Sequence, residues 1–245
     1  MSAILGLLRY VLIPAAALAG SGVVGAFRQP GARLRSAIQH LTAGIVFAAV
    51  GMELLPDILH EARPSAMAGG FICGVALMLG LKAYTAKVEK QNDSKRGKSN
   101  SLLWTLAVDV FIDGLLVGVG FAAGAKEGIL LTIALTGEVL FLGLSSAASL
   151  SRGGASRARI VSTTLGLSAV MVAGGVLGSA ALQGLSGGLL EAVLSFGCAA
   201  LLYLVTEELL VEAHEEPETP ALTAMFFLGF LLLALLEMAI RRPGA

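Results

Sequence analysis

The sequence predicts an all-α, polytopic membrane protein of eight transmembrane helices. Three observations carry this. Of 245 residues, 56% are hydrophobic and only 14% charged, where a soluble domain carries about 25% charged residues. Mean hydropathy is +0.84. The apolar residues also come in blocks: between Ser101 and Ala125 the only charges are two aspartates, and from Ile160 to Gly188 there are none. A helix needs roughly 20 apolar residues to cross the bilayer core. Barrel strands would alternate polar and apolar positions, and these blocks do not. So little charge excludes a soluble enzyme, and zero net charge without a basic stripe excludes a nucleic-acid partner.

Charge and turn residues cut the chain into eight spans, near 4–27, 37–59, 66–85, 102–124, 128–150, 160–184, 188–211 and 220–240. The first has only Arg9 and no charged leader, so it reads as a retained span rather than a cleaved signal. The second ends in Glu53, Asp57 and His60. After the third comes KVEKQNDSKRGKSN, the longest charged stretch. It reads as a mobile cytoplasmic linker at 87–100, dividing one membrane domain into helices 1–3 (residues 1–86) and helices 4–8 (residues 101–245). Spans four and five carry Asp109, Asp113 and Glu138. Span six is uncharged, span seven ends in TEELLVEAHEE, and span eight closes the bundle. Cys73 and Cys198 lie inside apolar blocks and read as small buried hydrophobes, with no CxxC pair or disulfide framework.

Orientation follows from the basic residues. Eleven of them follow spans one, three and five; only Arg63 and Lys126 follow spans two, four and six. The positive-inside rule puts the first set in the cytoplasm and both termini outside, in a multi-pass protein of the cell (inner or plasma) membrane.

Ionisable residues within hydrocarbon are expensive and usually face a cavity or a partner. Here they are carboxylates, with no Lys or Arg deep in a span to neutralise them. Such an excess of acid points to a cation path. Asp109 and Asp113 are four apart, on one face of span four. At about 1.5 Å per residue both lie near mid-membrane, and Glu138 reaches the same depth from the other side. The three are expected to meet. Glu53, Asp57 and His60 share a face that opens outside, an expected outer funnel. Glu208 and Glu212 share a face of span seven, Glu207 sits beside it, and His214 lies near the inner exit. His40 reads as an interfacial histidine, and Glu191 and Glu237 as ordinary surface acids near span ends. Gly114, Gly118 and Gly120, with the small residues of Gly143–Ser149, allow close packing and fit spans four and five forming one core.

These segments, in order and spacing, resemble the ZIP (zinc/iron-regulated transporter-like) family of metal transporters over most of the chain. LTAGIVFAAVGMELLPDIL looks like the family's second-span segment that ends in L-P. The stretch from Asp109 through Asp113-Gly to Phe121 looks like H-N-x-P-E-G-x-A-x-G-x-x-F. CAALLYLVTEELLVEAHEE is similar to G-A-M-x-x-V-x-x-E-x-x-P-E-A-H, and Leu228-Gly229-Phe230 follows in the last span. The resemblance implies a ZIP-like bundle that moves divalent metal toward the cytoplasm. It implies ligands at Asp109 and Asp113, where the family has His and Glu, and at Glu208 with Glu207 beside it. Val110 stands where the family has Asn and cannot be a ligand. In span five Glu138 is displaced from the family's usual acid, and neither span keeps its motif proline.

The expectation is therefore a transporter, not an enzyme, with the divalent metal as cargo and no cofactor. No H-E-x-x-H or G-x-S-x-G occurs in a span. Zinc follows from the resemblance, whereas an all-carboxylate set without imidazole suits harder ions such as Mn²⁺, Mg²⁺ or Ca²⁺, and iron stays open. The expected partners are the lipid bilayer, the metal and, as an open alternative, a second copy in a homodimer. Two other functions remain: a ZIP-fold protein moving another cargo or protons, and a non-transporting sensor or scaffold.

Overall fold

The computed structural model describes residues 2–28, 31–92, 98–182 and 186–241. Its elements are α1 (Ser2–Phe27), α2 (Ala32–Ala49), a π turn (Val50–Leu54), α3 (Leu55–Glu61), α4 (Pro64–Asn92), α5 (Lys98–Ala123), α6 (Ala125–Arg152), α7 (Arg157–Leu182), α8 (Gly188–Tyr203), a second π turn (Leu204–Leu209), α9 (Leu210–Ala213) and α10 (Pro220–Arg241). Strands are absent among the described residues. Joined across their π turns, α2 with α3 and α8 with α9 form single spans. Eight spans long and apolar enough to cross a membrane result among the described residues.

Two spans thus hold a feature that periodicity did not reveal. In the first π turn the Leu55 N–H bonds back to the Val50 carbonyl, five residues away. Pro56 follows directly and has no N–H to give, so the helical ladder is already interrupted at this point. In the second, the Leu210 N–H reaches the Val205 carbonyl in the same way. Both turns carry acids, Glu53 in one and Glu207 and Glu208 in the other. Spans four and five run as unbroken α-helices, as expected of chains without the motif prolines.

The linker does not separate two packing units. Helices α1, α5, α6 and α7 pack on one another; α2 packs on α10, and α4 on α8. The first span thus joins helices from beyond the linker, because a helix packs by its apolar and small-residue face, not by its place in the chain. The linker itself is shorter than expected: α4 continues to Asn92 and α5 begins at Lys98. Ala86-Lys-Val-Glu-Lys-Gln are mostly strong helix formers, so the helix outlasts the apolar span. The centre of that stretch, 93–97, lies outside the described residues.

Glycines set the closest contacts, and they correct one expectation. Gly114 and Gly118 face α7 rather than α6: a Cβ on Gly114 would strike the Met171 carbonyl, and one on Gly118 the Gly175 carbonyl. Gly120 does face α6, beside Gly128 and Leu131. Gly143 of α6 meets α1 at Leu18 and Ser21. In the second group Gly44 and Gly229 bring α2 and α10 together. Close approach of this kind supplies packing where lipid cannot supply a hydrophobic drive. Helices α4 and α10 bury least, 17% and 22% of their apolar windows, and so offer the most surface to lipid.

Candidate metal centre

Asp109 and Asp113, one helical turn apart on α5, point to Glu138 on the neighbouring α6. One ligand oxygen from each lies within 4.8 Å of the others. Oxygens so spaced need only small rotations to share one ion at the roughly 2.0–2.6 Å of carboxylate–metal bonds. Asp113 and Glu138 are each 3% exposed, and Asp109 is half-buried. Asp113 Oδ2 and Glu138 Oε2 are buried without a hydrogen-bond partner. Leaving such atoms unpaired is costly, more so for a charged group, and a cation between them would remove that cost. The three residues expected to meet do meet.

A cavity of about 570 Å³ leads to this cluster. Asp109 lines it together with Glu207, Glu208 and Glu212, so three of the acids expected in span seven share one space with the span-four aspartate. They differ in their bonds. Glu207 Oε2 accepts from Lys82 Nζ at 2.6 Å. Glu212 Oε2 accepts from Gln39 Nε2 at 2.7 Å. Lys82 was not foreseen: it lies near the end of the third span, where a lysine usually reaches for the headgroups. His214 stands outside the cavity lining, with Nε2 3.0 Å from Glu218 Oε1 and its ring edge-on to His40 at 5.3 Å. His40 is packed within the protein. It is 2% exposed, with Nδ1 2.9 Å from the Ser36 carbonyl oxygen.

The stripe of Glu53, Asp57 and His60 divides. Glu53 is buried in the first π turn, whereas Asp57 and His60 are exposed and line a separate pocket of about 220 Å³ with Glu61 and Glu191. A wider turn between Glu53 and Asp57 departs from the regular i, i+4 register. Glu191 and Glu237 are also corrected. They are 1% and 3% exposed, not surface acids, because span ends still pack on neighbours. The Arg63 N–H donates to Glu191 Oε1 at 3.2 Å, tying the start of α8 to the α3–α4 turn, where Ala62 has φ 53°. Hydropathy alone carries no signal for such a partner; only the third dimension does.

The family profile described as ZIP Zinc transporter matches residues 85–237, more than half of the chain. That stretch contains the three-carboxylate cluster and all the acids of the cavity. The zinc transporter GufA of Myxococcus xanthus is 32% identical over 145 residues, covering 58% of this chain and 57% of that protein. The matched region thus spans a little more than half of that relative's length.

Proposed function

The chain belongs to the ZIP family, and from that premise we propose that it moves a divalent metal cation across the membrane, toward the cytoplasm. The single observation that carries this reading is the cluster of Asp109, Asp113 and Glu138, buried at mid-span and continuous through Asp109 with a cavity lined by further acids. On this reading the ion meets Asp57 and His60 at the outer pocket, is held by the three carboxylates, and leaves past Glu208 and Glu212. The basic loops support a reading in which the large cavity faces the cytoplasm and both termini lie outside. Alternating access follows if the group of α1, α5, α6 and α7 shifts against the group of α2, α4, α8 and α10, as repeat halves do in other transporters.

Zinc is the ion named for the relative, and the all-oxygen ligand set favours harder divalents beside it. Uptake into proteoliposomes loaded with a fluorescent metal chelator tests both points. Zn²⁺, Mn²⁺, Mg²⁺ and Ca²⁺ are offered singly and in competition. The expected result is saturable uptake in which excess Mn²⁺ competes with Zn²⁺. No flux of any divalent ion overturns transport. Micromolar Zn²⁺ displacing a large excess of Mn²⁺ overturns the ligand argument alone.

A further inference from the structure

We propose that Lys82 is a built-in counter-cation of the inner cavity, which keeps Glu207 out of the ligand set so that an ion leaving Asp109 is released rather than retained. The inference rests on the transport reading above. It starts from the direction that Lys82 takes. A lysine two residues before the end of an apolar span ordinarily extends to the headgroups, since an ammonium within hydrocarbon is costly. Lys82 instead turns toward the bundle. Its Nζ lies 2.6 Å from Glu207 Oε2 and 5.9 Å above the Tyr203 ring. Both charged side chains remain about half exposed, at 55% and 45%, and both line the cavity that reaches Asp109.

A half-exposed ion pair contributes little to holding a fold together. Its effect on an ion beside it is larger. Four carboxylates line this cavity, Asp109, Glu207, Glu208 and Glu212. Left to themselves their summed negative charge would hold a dication in the cavity by Coulomb attraction, and a transporter that binds tightly at its exit turns over slowly. Lys82 occupies one of them and repels an approaching dication, while the Gln39 amide occupies another. Glu208, which lines the same cavity as Asp109, is then the carboxylate left to pass the ion on. Helix α4 packs on α8, so ammonium and Glu207 sit on one helix group and Asp109 on the other. Lys82 also precedes the stretch that matches the family profile.

The test uses the purified full chain with Mn²⁺ and Zn²⁺ alone as probes. Lys82→Met removes the charge and liberates Glu207. The expected result is binding tightened on the order of tenfold, the change that about 1.4 kcal/mol represents, with a lower maximal uptake rate and a lower KM. Adding Glu207→Gln to Lys82→Met is expected to move affinity and rate back toward wild type, which a merely structural lysine would not produce. Lys82→Gln, which removes the charge but keeps an amide donor toward Glu207, is expected to tighten binding less than Lys82→Met and guards against a folding defect in that variant. Unchanged or weaker binding in both single variants, with wild type transporting, overturns this inference and leaves the transport reading standing. So does a double variant that binds as tightly as Lys82→Met. A wild type that neither binds nor moves either ion overturns the transport reading itself.

Discussion

Asp109→Asn and Asp113→Asn each keep the side-chain volume and one carbonyl acceptor while removing a charge. Coulomb attraction for a dication is strongest where dielectric is low, so each is expected to cut metal uptake at least about a hundredfold. Folding is expected to survive, because no ion pair to either aspartate exists among the described residues. Uptake at matched expression, with a thermal-shift control, checks both halves; wild-type uptake by the double variant would remove these carboxylates from the mechanism. Both aspartates were legible because their four-residue spacing on one helix is a local property. Glu138 followed from depth alone. Lys82, Glu191 and His40 were not legible, because what decides their roles is a partner on another helix: Glu207, the Arg63 N–H and the ring of His214.

At the scale of elements, hydropathy located all eight spans but not the two π turns. An extra residue in one turn leaves composition unchanged, so no apolar count can register it. Pro56 was the one local hint for the first, and the second has no proline beside it. The small residues were legible as packing surfaces, yet their partners were not: α5 meets α7 through Gly114 and Gly118 more closely than it meets α6 through Gly120. Gly114→Val is the sharpest probe of this contact. Its Cβ would meet the backbone carbonyl of Met171, which cannot rotate aside, so the helices must part. Overpacking of this kind costs about 1–3 kcal/mol, more where backbone is struck. The expected outcome is a lower unfolding temperature in detergent. Gly80→Val, whose Cβ meets nothing within 4 Å, is expected to stay near wild type in the same assay.

For the whole molecule, the charged linker suggested three helices followed by five, whereas the chain packs as two interleaved groups of four spans. The linker marks where the chain leaves the membrane, and contact faces are distributed without regard to that point. Orientation is a separate whole-molecule property, set by where Lys and Arg accumulate. It can be read with cysteines. Replacing both natural ones, Cys73→Ser and Cys198→Ala, gives a background without reactive thiols. Ser156→Cys then reports the α6–α7 turn beside Arg152, Arg157 and Arg159, and Ala62→Cys reports the α3–α4 turn beside Arg63; both positions are exposed. The basic loops require opposite outcomes at these two sites. In intact cells a membrane-impermeant maleimide is expected to label Ala62→Cys and to leave Ser156→Cys unmodified until the membrane is opened. Because Ala62 directly follows Glu61, which lines the Asp57 and His60 pocket, the same labelling also decides which compartment that pocket faces. The reverse pattern would invert the molecule, put the 570 Å³ cavity on the outer side, and turn the proposed import into export.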